Sequence, residues 1–305
     1  MNSLKGRDFI DLADLEPIQL RRVLDLGHQI KAGRWRHKPL EGRHIAMLFQ
    51  RPSHRTRVSF EVGIARLGGS ITTLTGQDVQ LGFRESISDA AKVLDRYVSG
   101  VIARLRSHAD LLQLAGASDK PVINALTDHS HPCQVLADLM TIEEVRGELS
   151  EQQVVYIGDG NNIANSLIEA SALTGIDLRV ISPPGYQPQQ SVLDRARSIS
   201  SNARQVALED EVTGLENASV IYTDVWASMG QEDERIARQK AFSAYQVNQR
   251  VMDSAPKAMF MHCLPAHRGE EVTDEVIDGS RSVVFQQAEN RLFAQMALMS
   301  ELFAP

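Results

Sequence analysis

Short apolar runs alternate with segments of helical periodicity along the whole chain, and that alternation narrows the fold more than any other feature. Runs at His44–Phe49, Ser70–Leu74, Gly100–Ala103 and Val122–Ala125 read as strands in the first half. In the second half the runs are Val154–Ile157, Leu178–Ile181, Val220–Asp224, Ala258–His262 and Ser282–Phe285. Apolar strands separated by helices belong in parallel sheets, because the return to a parallel neighbour needs a crossover long enough to hold a helix. The intervening segments carry helix signals. Ser53–Leu67 stops at Gly68-Gly69, and Asn161–Leu173 stops before Gly175. Ser86–Val98 opens on Ser86 with Asp89 three residues on, and places Ile87, Ala90, Ala91, Leu94 and Val98 on one face.

The chain has 305 residues, enough for two cores of ordinary size. The expected fold is α/β with two domains, each a parallel sheet flanked by helices. The first covers residues 1–138, and a helix near Asp138–Arg146 carries the chain into the second, residues 139–288. The last segment, Glu289–Leu302, is a helix with no strand after it, so the tail 289–305 is expected to pack back on the first domain.

Net charge is −7, which argues against wholesale binding to nucleic acid or to an acidic membrane surface. Nothing approaches the roughly 18 apolar residues of a membrane span, and the N-terminal stretch MNSLKGRDFIDLADLEP is charged from its start. The expected location is cytoplasmic. The two cysteines, Cys133 and Cys263, make a disulfide framework improbable. Each lies beside a histidine, as His131-Pro132-Cys133 and His262-Cys263, with His267 close to the second. Zinc sites usually show ligand pairs with short spacers, so no metal is expected.

Five motifs carry candidate chemistry, and each follows an expected strand. In Phe49-Gln50-Arg51-Pro52-Ser53-His54-Arg55-Thr56-Arg57 a strand ends and a helix begins. A helix start presents unpaired N–H groups and the positive end of a dipole to an anion. It normally prefers acidic residues, yet this one carries Arg55 and Arg57 and no acid, which favours a bound anion over a merely solvated start. In His131-Pro132-Cys133-Gln134, His131 and Gln134 sit at i and i+3 and both can face a small polar molecule; a purely structural histidine is an equal alternative. Gly158-Asp159-Gly160-Asn161-Asn162 resembles a nucleotide-binding turn, but Ile163 stands where GxGxxG needs its third glycine. Asn161 is a candidate helix cap and Asn162 a candidate ligand. Asp224-Val225-Trp226-Ala227-Ser228-Met229-Gly230-Gln231 offers a carboxylate for an amine and a run able to close over a ligand, against the plain alternative of a loop. His262-Cys263-Leu264-Pro265-Ala266-His267-Arg268-Gly269-Glu270-Glu271 crowds ionisable groups into one turn, which is commoner at sites than in solvated loops.

Taken in order, these motifs resemble the transcarbamylase family from Leu4-Lys5-Gly6-Arg7-Asp8 to Ala288-Glu289-Asn290-Arg291. The family's Ser-Thr-Arg-Thr-Arg stands here as Ser53-His54-Arg55-Thr56-Arg57, with His54 replacing the usual threonine. The Ser-Met-Gly and HCLPAHRGEE pieces are similar to the ornithine branch rather than the aspartate branch. The resemblance implies transfer of a carbamoyl group from carbamoyl phosphate to the δ-amine of ornithine, without metal or cofactor. Another amine, putrescine or an acylated ornithine, is the alternative within the family. A non-catalytic binding module and a nucleotide-dependent dehydrogenase are the alternatives outside it.

The same resemblance assigns carbamoyl phosphate to Ser53, His54, Arg55, Thr56, Arg57, Arg104, His131, Pro132, Cys133 and Gln134. Gln80 is implied to reach in from a neighbouring subunit of a homotrimer with shared active sites. Cys263, Leu264 and Arg291 are implied to close the site around the carbamoyl group and the amine, and Asn162, Asp224, Ser228 and Met229 to hold ornithine. Arg55, Arg104, His131 and Cys263 are the implied catalytic residues, the first three as donors to the carbonyl oxygen and the leaving phosphate.

Overall fold

A computed structural model describes residues 3–76, 81–83, 85–199, 206–227 and 232–304. The chain divides into two compact units, Met1–Met140 with Glu289–Pro305, and Thr141–Ala288.

In the first unit the elements run α1 (Pro17–Lys31), β1 (His44–Phe49), α2 (His54–Arg66), β2 (Ser70–Thr75), α3 (Ile87–Leu94), β3 (Gly100–Arg104), α4 (His108–Ala117), β4 (Val122–Leu126) and the start of α5 (Pro132–Arg146). The strands form one parallel sheet in the order β2-β1-β3-β4. Side chains two apart on a strand share a face. Ala46 and Leu48 of β1 and Val101 and Ala103 of β3 therefore point the same way, into a core completed by Ile87 and Ala91 of α3 and by Leu111 and Leu114 of α4. Ser86 caps α3 by accepting from the Asp89 N–H at 3.0 Å. The helix ends at Leu94, short of the expected Val98, because the chain turns there and the Tyr97 N–H bonds back to the Leu94 carbonyl.

The second unit holds β5 (Gln153–Ile157), α6 (Asn162–Thr174), β6 (Asp177–Ile181), α7 (Gln190–Ile199), β7 (Ala207–Glu209), β8 (Val220–Thr223), α8 (Arg235–Phe242), α9 (Gln249–Ser254), β9 (Met259–His262), α10 (Asp274–Ile277) and the first turn of α11 (Val284–Leu302). Its sheet is parallel in the order β7-β6-β5-β8-β9. Val155 and Ile157, Ile221 and Phe260 face a core with Trp226, Phe242, Tyr245, Met252 and Val276.

The expected strand at Ser282–Phe285 does not form. Ser282 makes one isolated bridge to Phe260, and Val284 already begins α11. A strand there would have buried Phe285, which is 72% exposed, whereas helical spacing buries Val284 and Gln287. The C-terminal helix therefore starts five residues before the expected Glu289 and runs for 19 residues.

From Glu289 onward α11 packs on the first unit. A Cβ at Gly63 of α2 would lie 3.2 Å from Met296 and 3.3 Å from Met299, and one at Gly27 of α1 would lie 3.8 Å from Ala297. Gly63 lets α11 approach α2 closely, whereas at Gly27 the tight neighbour is Met140 of α5, whose sulfur a Cβ would meet at 2.7 Å. The last aromatic, Phe303, fills the space that a side chain at Gly100 would need: a Cβ there would meet its ring at 2.4 Å. Gly100→Ala is expected to lower stability by about 1–3 kcal/mol, the usual cost of overpacking. In urea unfolding, Gly100→Ala combined with Phe303→Leu should lose less than the sum of the single changes.

Candidate active site

Both sheets change direction at a pair of adjacent strands whose connections lead opposite ways, and such pairs open a crevice at their carboxyl ends. In the first unit the pair is β1 and β3. Gln50 stitches their ends together: its N–H donates to the Arg104 carbonyl at 3.1 Å, and its side-chain oxygen accepts from the Arg106 N–H at 2.8 Å.

Helix α2 starts at this crevice. Ser53 is its N-cap, in extended conformation, and its side chain makes no capping bond. First-turn N–H groups have no partner inside a helix, and no acidic residue lies in this first turn. The start of α2 thus has anion-binding geometry, with His54 exposed at the first helical position.

Around it lies a chain of buried polar groups. The Thr56 hydroxyl accepts from Arg104 Nη1 at 3.2 Å and from Arg291 Nη2 at 2.7 Å. Arg291 Nη1 donates to Gln134 Oε1 at 2.5 Å, and Gln134 Nε2 donates to Asp138 at 2.8 Å. His131 is buried at the end of the β4–α5 connection. Burial, and then the charges of Arg291, Arg104 and Arg55, hold its imidazole well below the usual histidine range, so it is neutral at pH 7. Three guanidinium groups around a neutral imidazole leave local positive charge that an anion would neutralise.

Of the residues expected here, Ser53, His54, Arg55, Thr56, Arg104, His131, Gln134 and Arg291 are assembled in this way. Arg57 is not. It lies on the exposed side of α2 and pairs with Glu61 at 2.7 Å, because an acid one turn later on a solvated face captures it. Pro132 opens α5, and the fully buried Cys133 turns its thiol to the Asn124 carbonyl at 3.3 Å. Burial pushes that thiol up to about 12, which makes it a packing group and not a nucleophile. Gln80 falls outside the described residues.

The crevice of the second unit lies between β5 and β8. Asn161 caps α6, accepting from the N–H groups of Ile163 at 2.9 Å and Ala164 at 3.3 Å. Its amide donates to Asp224 Oδ2 at 2.7 Å, while the Cys263 thiol donates to Asp224 Oδ1 at 3.0 Å. Both oxygens of Asp224 are thereby oriented, and the carboxylate is buried with Asn162 beside the same helix start. Asn162, Asp224 and Cys263, three of the expected residues, are thus gathered at one place, and Ser228 and Met229 lie outside the described residues.

His262 is turned the other way, into the core. Its Nδ1 accepts from the Leu264 N–H at 2.8 Å and its Nε2 faces Glu271 at 3.1 Å. Asp224, His262 and Cys263 stand close enough to hold a metal ion. Both ring nitrogens of His262 are already engaged in those two bonds, however, so the set does not fit one. The backbone bond also holds Leu264 in the left-handed region at φ 56°, which places the turn after Cys263.

Arg238 went unnoticed in the sequence. Its guanidinium meets Asp159 at 3.0 Å and the Trp226 carbonyl at 2.9 Å, tying the loop after β5 to the loop after β8. Burial raises the Asp159 carboxyl to about 6, against the pull of Arg238. The local pattern shows only its pairing with Glu234 one helical turn earlier, at 2.9 Å; the two contacts that tie the loops lie 79 and 12 residues away.

Family profiles match almost the whole chain: an aspartate/ornithine carbamoyltransferase carbamoyl-P binding domain over residues 7–144, and the Asp/Orn binding domain of the same family over residues 150–302. The chain belongs to the aspartate/ornithine carbamoyltransferase family. Among similar family members are an ornithine carbamoyltransferase of Oceanobacillus iheyensis, 50% identical with 99% of this chain and 95% of that one covered, and an anabolic ornithine carbamoyltransferase of Pyrococcus furiosus, 49% identical with 98% and 96% covered. The solved ornithine carbamoyltransferase of Pyrococcus furiosus superposes with a TM-score of 0.93 at 47% identity, covering 99% of each chain. The four-stranded and five-stranded sheets found here are the carbamoyltransferase fold.

The state of His131 has a consequence for stability. Its folded value lies below the unfolded one of about 6.5, so below that pH the unfolded chain binds a proton that the folded chain refuses. The stability involved is present above about pH 6.5 and is lost as pH falls. Denaturation midpoints measured from pH 7.5 down to 5.5 should fall in the wild type and fall less in His131→Asn. Equal slopes would assign the dependence to other groups.

Proposed function

We propose that the protein transfers the carbamoyl group of carbamoyl phosphate to the δ-amine of L-ornithine, giving L-citrulline and phosphate. The observation that carries this reading is the cluster of half-buried Arg104 and buried Arg291 on buried Thr56 beside an acid-free helix start, a site for a phosphorylated anion. It lies in a chain whose relatives are ornithine carbamoyltransferases along its full length.

In this reading Ser53, His54, Arg55, Thr56, Arg104, His131, Gln134 and Arg291 bind carbamoyl phosphate, and Asn162, Asp224, Ser228 and Met229 bind ornithine. The amine attacks the carbonyl carbon, a C–N bond forms, the bond from carbon to the phosphate oxygen breaks, and the amine loses a proton. Arg55, Arg104 and neutral His131 donate to the oxygen on which charge develops. One guanidinium about 4 Å from a unit negative charge is worth about 4 kcal/mol at an effective dielectric of about 20, so several suffice after desolvation. Cys263 and Leu264 line the carbamoyl group, and the oriented carboxylate of Asp224 attracts the ammonium end of the amino acid.

The protein acts as a homotrimer in the cytoplasm. No helix among the described residues is long and apolar enough to cross a membrane, and Cys133 and Cys263 are not joined in a disulfide, which suits a reducing compartment. Gln80 of one subunit completes the carbamoyl phosphate site of the next.

Citrulline formation should appear with ornithine and be absent with putrescine or an N-acylated ornithine in a panel assay. No turnover with any amine would sink the reading. Asp224→Ala should weaken ornithine roughly a hundredfold, in line with a lost buried charge contact, and leave phosphate binding nearly unchanged by calorimetry. Sharing of sites is tested by subunit mixing. Arg104→Ala and Gln80→Ala chains dissociated and reassembled together should exceed the mean activity of the parents, and an activity at or below that mean would place Gln80 within its own chain or outside the site.

A further inference from the structure

We propose that Asp138 is a positioning residue of the anion site: its carboxylate fixes the side-chain amide of Gln134 so that the amide oxygen, not the nitrogen, meets Arg291. The proposal deepens the reading of this site as the carbamoyl phosphate site and rests on it.

Asp138 lies on α5 four residues beyond Gln134, one helical turn, so the two side chains meet on one face. Both are fully buried. The two ends of a glutamine amide have nearly the same size and shape but opposite hydrogen-bonding character. Packing alone cannot choose between them. Here the neighbours choose. A guanidinium only donates and an ionised carboxylate only accepts. With Arg291 Nη1 at 2.5 Å on one side and Asp138 at 2.8 Å on the other, one orientation gives two charge-assisted bonds. The flipped orientation sets an NH2 group against the guanidinium and an oxygen against the carboxylate.

The choice propagates. Arg291 is held at two points, by Gln134 through one terminal nitrogen and by the Thr56 hydroxyl through the other. Arg104 donates to the same hydroxyl at 3.2 Å. Asp138, Gln134, Arg291, Thr56 and Arg104 thus form a single hydrogen-bonded series that begins at a carboxylate and ends at the first turn of α2. Without Asp138 the first link loses its direction, and the hold of Gln134 on Arg291 is no longer fixed. A buried carboxylate is costly unless hydrogen-bonded, and an apolar residue of similar volume would pack there without that cost. Its presence is accounted for by the orientation it imposes. Asp138 acts through Gln134.

The experiment is a double-mutant cycle between Asp138→Leu and Gln134→Leu, with Asp138→Asn as the isosteric variant. Three quantities are read on the full chain: the KM for carbamoyl phosphate, the KM for ornithine, and the Kd of inorganic phosphate by calorimetry. Asp138→Leu should raise the carbamoyl phosphate KM and the phosphate Kd about tenfold, while the ornithine KM moves by less than about twofold. The double variant should be no worse than Gln134→Leu alone, because both changes remove the same link. Asp138→Asn keeps one acceptor oxygen and should show a smaller shift of the same kind, about threefold. It carries the comparison if the leucine variant does not accumulate as folded protein. Losses that multiply in the double variant, or Asp138 variants within about twofold of wild type on all three quantities, would overturn the proposal. A wild type that neither turns over carbamoyl phosphate nor binds phosphate would overturn the reading of the site itself. Failure of the positioning role alone leaves an active wild type.

Discussion

Arg291 is the interaction on which the anion half of the molecule turns. Its guanidinium leaves α11, near the end of the chain, and divides its two terminal nitrogens between Gln134 and Thr56, 157 and 235 residues earlier. A lysine could not do this, because a point charge cannot serve two acceptors in one fixed plane. The fork is buried, so it is screened neither by water nor by salt. It also ties the C-terminal helix to the first unit. With Arg291 committed, α11 packs where Gly63 of α2 leaves room for Met296 and Met299.

The cluster that results is built against its own electrostatics. Arg55, Arg104 and Arg291 repel one another, and burial, reinforced by their charges, drives His131 toward its neutral form. Asp138 offsets part of the charge, and Thr56 accepts two of the donors. What remains is a standing preference for an anion, which is the same free energy seen from two sides: it costs stability when the site is empty and strengthens binding when the site is filled. A neutral His131 is useful for the chemistry proposed here, since it donates one N–H without adding a further charge to the cluster.

The second unit solves a different problem. It must keep a carboxylate available while burying it, and it does so by committing both oxygens to weak or neutral donors, the Asn161 amide and the Cys263 thiol. Neither cancels the charge of Asp224, so the carboxylate keeps its attraction for an ammonium. The supports are heavier than the site. The buried His262–Glu271 pair fixes the turn after Cys263, and the Arg238–Asp159 pair fixes the loops on either side of Asn161 and Asp224.

The two parallel sheets, eight of the nine expected strands and the anion-seeking start of α2 were legible in the sequence, because each follows from local pattern: apolar runs, caps, and arginines where acids belong. The failed strand at Ser282–Phe285 shows the limit of that signal. A short apolar run suits a strand edge or a buried helix start equally, and only the register of α11 on its neighbours selected the helix. Residues in one motif were alike in sequence and unlike in space. Thr56 faces the cluster while Arg57, one residue on, faces solvent and Glu61, since a helix turns about 100° per residue. Cys263 reaches Asp224 while His262 enters the core, since β9 ends at His262 and the chain turns at Cys263. Sequence alone determined which chemistry the chain carries and on which strand ends it sits. Tertiary structure decided which side chains are paired, which are buried and therefore neutral, and which distant partners, Arg238 and Asp138 among them, hold the others in place, because hydrogen bonds and desolvation depend on distances that a linear order does not contain.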